Sequence, residues 1–196
     1  MIAWLLSLAV LSGLSMNLVL QLGLGARELA LGGEPGDPGG GRAPSGLPAG
    51  LCAFLVSVPL LWLALSLARQ ILPLGFFEYV LAFPASLAAS SAWGLLPWGR
   101  KARGPDAFGG GALAGAALFV ALLVAGGLAE AVALALGFAG GALLAFAIVA
   151  EIKRRAGMEA VPRWLRGAPL ALVAMGLLSL VFSSAAAMLF GALGGG

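Results

Sequence analysis

The chain has 196 residues, of which 61% are apolar and 10% charged, with a formal net charge of +3. Soluble domains carry about a quarter charged residues, so this composition excludes an ordinary soluble domain, and with it the soluble basic face that nucleic-acid recognition needs. Histidine is absent and Cys52 is the sole cysteine, which excludes histidine-ligated haem, a cluster of thiolate ligands and an intramolecular disulfide.

Six stretches carry no charge: Met1 to Ala26, Leu51 to Ala68, Tyr79 to Gly99, Ala107 to Ala129, Ala131 to Ala150 and Gly167 to Gly196. Each is ~18 residues or longer, the length that crosses ~30 Å of hydrocarbon as a helix. None shows the polar face of a soluble amphipathic helix. The expectation is one polytopic integral membrane domain over residues 1–196: an all-α transmembrane bundle of about six helices, with five as the alternative.

The first helix is expected over Ile2 to Leu24. It has no Lys or Arg ahead of its apolar centre, so a retained helix is favoured over a cleaved signal peptide. Asn17 and Gln21 lie one turn apart on it. Such amides bond helix to helix in membranes, and the alternative is that they line an ion path. Gly25 to Gly50 is Gly/Pro-rich and predicts an extended linker. Its glycines form no phosphate loop, because no Lys-Ser/Thr follows. Arg27 beside Glu28 begins the linker or anchors the helix at an interface.

A second helix is expected over Leu51 to Leu72, kinked at Pro59. The next begins at Pro73 and is expected to break at Pro84, with Ser86, Ser90 and Ser91 available to satisfy freed backbone groups or to bind an ion. Trp98 ahead of Arg100, Lys101 and Arg103 marks a membrane interface. Ala107 to Ala150 reads as two helices joined by a tight turn from Gly126-Gly127 to Glu130, or as one broken element. Gly111/Gly115 and Gly137/Gly141 are small-xxx-small pairs and candidate helix contact seams. Glu151 to Arg166 reads as a basic cytoplasmic loop with five basic and two acidic residues. A last helix follows from Pro169 to Phe190. Glu78, Glu130 and Glu151 are the acids nearest membrane depth. Their placement favours helix ends over a midplane role.

The C-terminal third runs Ile152-Lys-Arg-Arg, Ala160-Val-Pro162, Leu165-Arg-Gly167, then Leu170 to Phe182 with a Gly-Leu-Leu-Ser-Leu-Val-Phe core. This order resembles the membrane subunits shared by the Rnf ferredoxin:NAD oxidoreductase and the sodium-pumping NADH:quinone oxidoreductase, Nqr. The likeness is to the RnfA type of the former and the NqrE type of the latter. Leu51 to Gly94 fits the same pattern without a gap, with Pro73, Pro84 and Arg69 at family spacing. Asn17 to Gly25 is similar to the family's first broken helix. About two thirds of the chain is covered.

The resemblance implies a multi-pass subunit in a bacterial inner membrane. It would pack beside a homologous membrane subunit, in a complex whose other subunits carry flavin and iron–sulfur centres, and would couple electron flow to Na⁺ or H⁺ movement. Where the family has its two cysteine ligands, this chain has Arg27 and Ser90, neither an iron–sulfur ligand. No metal or cofactor is therefore expected on this chain, and no catalytic residue. Leu65 stands where the family has a Glu, and the Gly/Pro linker stands where the family has a second helix.

With six crossings, both basic segments lie on the cytoplasmic side and Arg69 lies opposite, whereas the family puts the Arg69 end inside. Five crossings restore the Arg69 side and separate the basic segments. A rival reading from another class is a small transporter or channel-like protein. It would work as a homo-oligomer through broken helices near Asn17 and Pro84. A third is a degenerate copy with only a packing role.

Overall fold

Backbone N–H and C=O groups in hydrocarbon must find partners within the chain, and uninterrupted apolar sequence leaves the helix as the local solution. The computed structural model describes residues 2–14, 17, 47–71, 75, 77–95, 112–158, 162 and 168–194. They form six helices: α1 (Ile2–Leu14), α2 (Leu47–Ile71), α3 (Phe77–Leu95), α4 (Ala112–Val124), α5 (Leu128–Met158) and α6 (Ala168–Gly194). No strand occurs among the described residues. Leu51–Ile71, Leu128–Ala156 and Pro169–Met188 are long and apolar enough to span a membrane, and Trp4–Leu14, Tyr79–Ala89 and Ala112–Val124 are shorter apolar helices.

Four boundaries differ from the sequence expectation. α1 stops at Leu14, and Asn17 is not helical. α2 starts at Leu47, with Pro48 in its first turn, where a missing N–H costs nothing. α3 is not broken at Pro84 but continues through it to Leu95. Proline forfeits only the bond to the carbonyl four residues back, here that of Val80. Neighbouring hydroxyls bond to carbonyls of the same helix: Ser86 Oγ donates to Phe83 O (2.8 Å) and Ser91 Oγ to Ala88 O (2.8 Å). Finally, Glu151 to Met158 is not loop but the last two turns of α5. Glu151 pairs there with Arg154 and Arg155 at i+3 and i+4, the spacings that stabilise a helix. Of the Gly25 to Gly50 linker, residues 25–46 lie outside the described residues.

α5 is the hub, packing against α1, α2, α4 and α6, while α2 also touches α3 and α4. The buried core is rich in alanine: Ala117, Ala121, Ala131, Ala139, Ala142 and Ala145 are all buried. Large side chains face outward instead, among them Leu60, Phe83, Leu136, Leu177 and Leu180. Lipid tails are as apolar as leucine, so burying leucine gives little gain, and small residues that let backbones approach give more.

The contacts fix the direction of each helix. Trp4 meets Glu130, Ser12 bonds to Leu134 O, Gly13 abuts Gly137 and Gly141, and Asn17 bonds to Gly141 O. Both chains advance together, so α1 and α5 are parallel. α3 and α4 are antiparallel: Tyr79 stacks edge-on to Phe119 with centroids 5.9 Å apart, and Phe83 and Ser86 meet Gly115. A parallel α1 and α5 need an odd number of crossings between them. Among the described residues three helices, α2, α3 and α4, lie between them. A single crossing by residues 107–150 would have set α5 antiparallel to α1.

The C-terminal ends of α1 and α5 therefore share one face, as do the C-terminal end of α3 and the N-terminal end of α4. The end of α5 carries Lys153, Arg154 and Arg155, and the end of α2 carries Arg69.

The glycine contacts predict a contrast. A Cβ on Gly137 would strike Ser12 Oγ and the Ala9 carbonyl, whereas one on Gly140, three residues on, would meet nothing within 4 Å. Gly137→Ala should destabilise the bundle by about 1–3 kcal/mol, the cost of overpacking. Gly140→Ala should be neutral or up to ~1 kcal/mol stabilising through helix propensity. Reversible unfolding of both variants in mixed micelles measures the difference.

Candidate functional site

Of the three buried polar residues among those described, two, Ser12 and Asn17, lie where α1 meets α5, and the third, Ser86, lies on α3 beside Gly115 of α4. Ser12 Oγ contacts Ala9 O (3.0 Å) and Leu134 O (3.3 Å), within reach of donating to either. Asn17 Nδ2 donates to Gly13 O (3.2 Å) and Gly141 O (2.9 Å). Two helices can share these bonds only because Gly13, Gly137 and Gly141 let the backbones touch. The Asn17 amide therefore spends both N–H donors on carbonyls, one on the chain just before it and one on α5. The bond to Gly141 O joins this segment to α5. Among the described residues, no buried side-chain nitrogen or oxygen lacks a partner.

Each end of the α5 span carries a polar anchor. Gly126 N donates to Glu130 Oε2 (2.8 Å), while Glu130 N and Ala131 N donate to Gly127 O (3.1 Å each). The carboxylate thus closes the α4–α5 turn and caps the start of α5, in the manner of a capping box. Its other oxygen, Oε1, accepts from Trp4 Nε1 (3.1 Å). At the far end Glu151 Oε1 accepts from Arg154 Nη2 (2.7 Å) and Arg155 Nε (2.9 Å), and Glu151 Oε2 from Arg154 Nε (2.8 Å). Glu130 and Glu151 are about 31 Å apart along the helix at 1.5 Å per residue. That matches the ~30 Å hydrocarbon thickness. Both acids lie at the ends of the apolar span, as their sequence placement implied, and Glu78 is the second residue of α3.

The described glycines of these pairs have their partners within the chain. Gly137 and Gly141 pack against α1 of the same chain, and Gly115 against Phe83 and Ser86 of α3. They are filled internally and offer no seam to another subunit. Gly111, Gln21 and Arg27 lie outside the described residues. Ser90 lies on α3, and Ser91 is exposed there. Among the described residues, no three of His, Cys, Asp or Glu group as metal ligands.

Sequence reasoning missed Trp4 and Ser12. The Ser12-Gly13 pair in an otherwise bulky apolar helix was the available sign of a close crossing. Trp4 carried the usual sign of an interfacial aromatic with one polar edge. No protein-family description, curated protein or solved structure matches this chain.

The anchor predicts coupling between residues 126 apart. Glu130→Gln should cost about 1 kcal/mol, the usual loss of a helix cap. Trp4→Phe should cost about 0.5–1.5 kcal/mol, the worth of one hydrogen bond. A double-mutant cycle in unfolding free energy should return a nonzero interaction for the pair, and purely additive effects would refute the bond.

Proposed function

We propose that this chain is an accessory membrane subunit of an Rnf/Nqr-type electron-transport complex in a bacterial inner membrane. In this reading it packs beside a homologous membrane subunit and helps form the ion path. It holds no metal centre of its own, since Arg27 and Ser90 occupy the family's ligand positions. The observation that carries the reading is the ordered run from Ile152 to Phe182. It falls on the elements that the resemblance requires: Ile152-Lys-Arg-Arg ends α5, and Leu170 to Phe182 lies within the last helix, α6. The described interior is consistent with a packing role, because its buried hydroxyls and amide bond to helix carbonyls.

In the same reading the face carrying Glu151 to Arg166 is cytoplasmic. With six crossings, ten of the eleven Lys and Arg residues fall on that face, and the positive-inside rule counts such residues near helix ends. The chain termini and Arg69 then lie on the periplasmic side. Its middle segment is therefore inverted relative to the family pattern, a departure of the same kind as the lost cysteines.

Two measurements test the proposal. In a Cys52→Ser background, a cysteine at Gly126 should label with a membrane-impermeant thiol reagent in intact cells, and one at Ala156 should not. The reverse pattern overturns the orientation. Extraction of the tagged chain from its native membrane in mild detergent should recover flavin and iron–sulfur proteins with it. Iron in the isolated chain should be absent. A chain that purifies only with copies of itself and moves an ion in vesicles establishes the transporter reading instead.

A further inference from the structure

Two polar groups near the membrane centre have no hydrogen-bond partner among the described residues. The first is the indole N–H of Trp62 on α2. Trp62 is only 9% exposed, yet its Nε1 donates to nothing, whereas the Nε1 of the far more exposed Trp4 donates to Glu130. A buried indole N–H usually finds an acceptor. The second is the hydroxyl of Ser179 on α6, which is half-buried and unbonded. Every other described serine side chain donates to a helix carbonyl, Ser183 and Ser184 of the same helix among them. No wholly buried side-chain nitrogen or oxygen lacks a partner among the described residues, so both groups reach the outside. Trp62 is one residue from the middle of Leu51–Ile71, and Ser179 is within one residue of the middle of Pro169–Met188. Both therefore lie within about 2 Å of the bilayer centre. Of the three long spans, α2 and α6 are also the two least enclosed by their own chain. Gly176, one turn before Ser179, is exposed with nothing within 4 Å of where a Cβ would be, so α6 has a notch at the same depth.

We infer that two copies of this chain associate in the membrane by docking α2 of one on α6 of the other, with Trp62 Nε1 donating to Ser179 Oγ across the contact. The two groups are complementary, since an indole N–H only donates and a hydroxyl can accept. Their depths match without adjustment, and each meets a need that its own chain leaves open in a medium that penalises unmet donors. Other occupants fit less well at this depth. The ester carbonyls and phosphates of a lipid lie ~15 Å away, half the hydrocarbon thickness, and water is absent from the hydrocarbon centre. The notch at Gly176 lets a neighbouring helix come close, which is how helices gain contact in lipid. Leu60 and Leu63, exposed beside Trp62 on α2, supply the side chains that fill it. The contact joins unlike surfaces of the two copies, so each copy offers both a donor face and an acceptor face. The inference rests on α2 and α6 spanning a membrane and not on membership of any complex, so it stands or falls separately from the proposed function.

Energy transfer between donor- and acceptor-labelled copies of the purified full chain tests it, in phosphatidylethanolamine/phosphatidylglycerol vesicles at a series of protein-to-lipid ratios. The wild type should self-associate. Replacing Trp62 by benzothienylalanine keeps the ring shape and puts sulfur where the N–H was. That change and Ser179→Ala should each weaken association about threefold, the typical worth of one hydrogen bond between helices in a bilayer. The two changes together should weaken it no further, because they remove the same bond. Gly176→Leu fills the notch and should weaken association more than either. Unfolding of each variant in mixed micelles should match the wild type, since neither group is bonded within the chain, and this separates loss of association from loss of fold. A chain that stays monomeric at every ratio, or that associates only when another membrane protein is added, would overturn the inference. So would association that survives both replacements, or effects of the two that simply add. Self-association without ion movement leaves the proposed function in place, whereas a monomer recovered with flavin and iron–sulfur proteins overturns this inference alone.

Discussion

The close crossing of α1 and α5 is the constraint on which the rest of the bundle depends. In water, two helices are driven together by the apolar surface they hide. In hydrocarbon that drive is absent, and helices associate through dispersion at short range and through interhelical hydrogen bonds. Gly13, Gly137 and Gly141 provide the short range. Ser12 and Asn17 provide the bonds. The contact also sets the parallel direction of the two helices. One local contact thus connects packing and topology.

A similar economy governs side-chain size. Alanine and glycine occupy the interior, and leucine, valine and phenylalanine coat the outside. The arrangement looks inverted beside a soluble core, where large apolar residues are hidden. It follows from the solvent. An outward leucine already sits among lipid chains, so moving it inward gains little, whereas an inward alanine shortens every backbone separation around it. Phe54, Trp62, Phe138, Phe146 and Phe182 are the buried aromatic side chains among the described residues, filling space that small residues leave open.

Helix existence was legible from charge-free runs, because hydrocarbon allows a lone segment few other structures. The α4–α5 turn was legible too, since Gly126 and Gly127 interrupt the apolar pattern and Glu130 has the spacing of a cap. The end of α1 was not. Composition stays apolar well past Leu14, and nothing local marks where the helix stops. Pro84 was misread because proline removes one bond, and one lost bond does not end a helix held by its neighbours. The glycine pairs showed that a backbone would come close. They could not show which one, because spacing on a single helix describes a shape and not the partner that fits it. The helical extension to Met158 was within reach of the sequence, as Glu151 stands three and four residues before two arginines.

The parallel pairing of α1 with α5 carries a consequence for biogenesis. α1 leaves the ribosome first, but the carbonyls that accept from Ser12 and Asn17 belong to residues made more than 120 positions later. At ~5–20 residues per second, that interval is on the order of ten seconds. Through it Ser12 can keep its hydroxyl on the Ala9 carbonyl, whereas the Asn17 amide has Gly13 O but lacks its α5 acceptor, in a medium that penalises unmet donors. The start of the chain is therefore fully bonded only once α5 has been made.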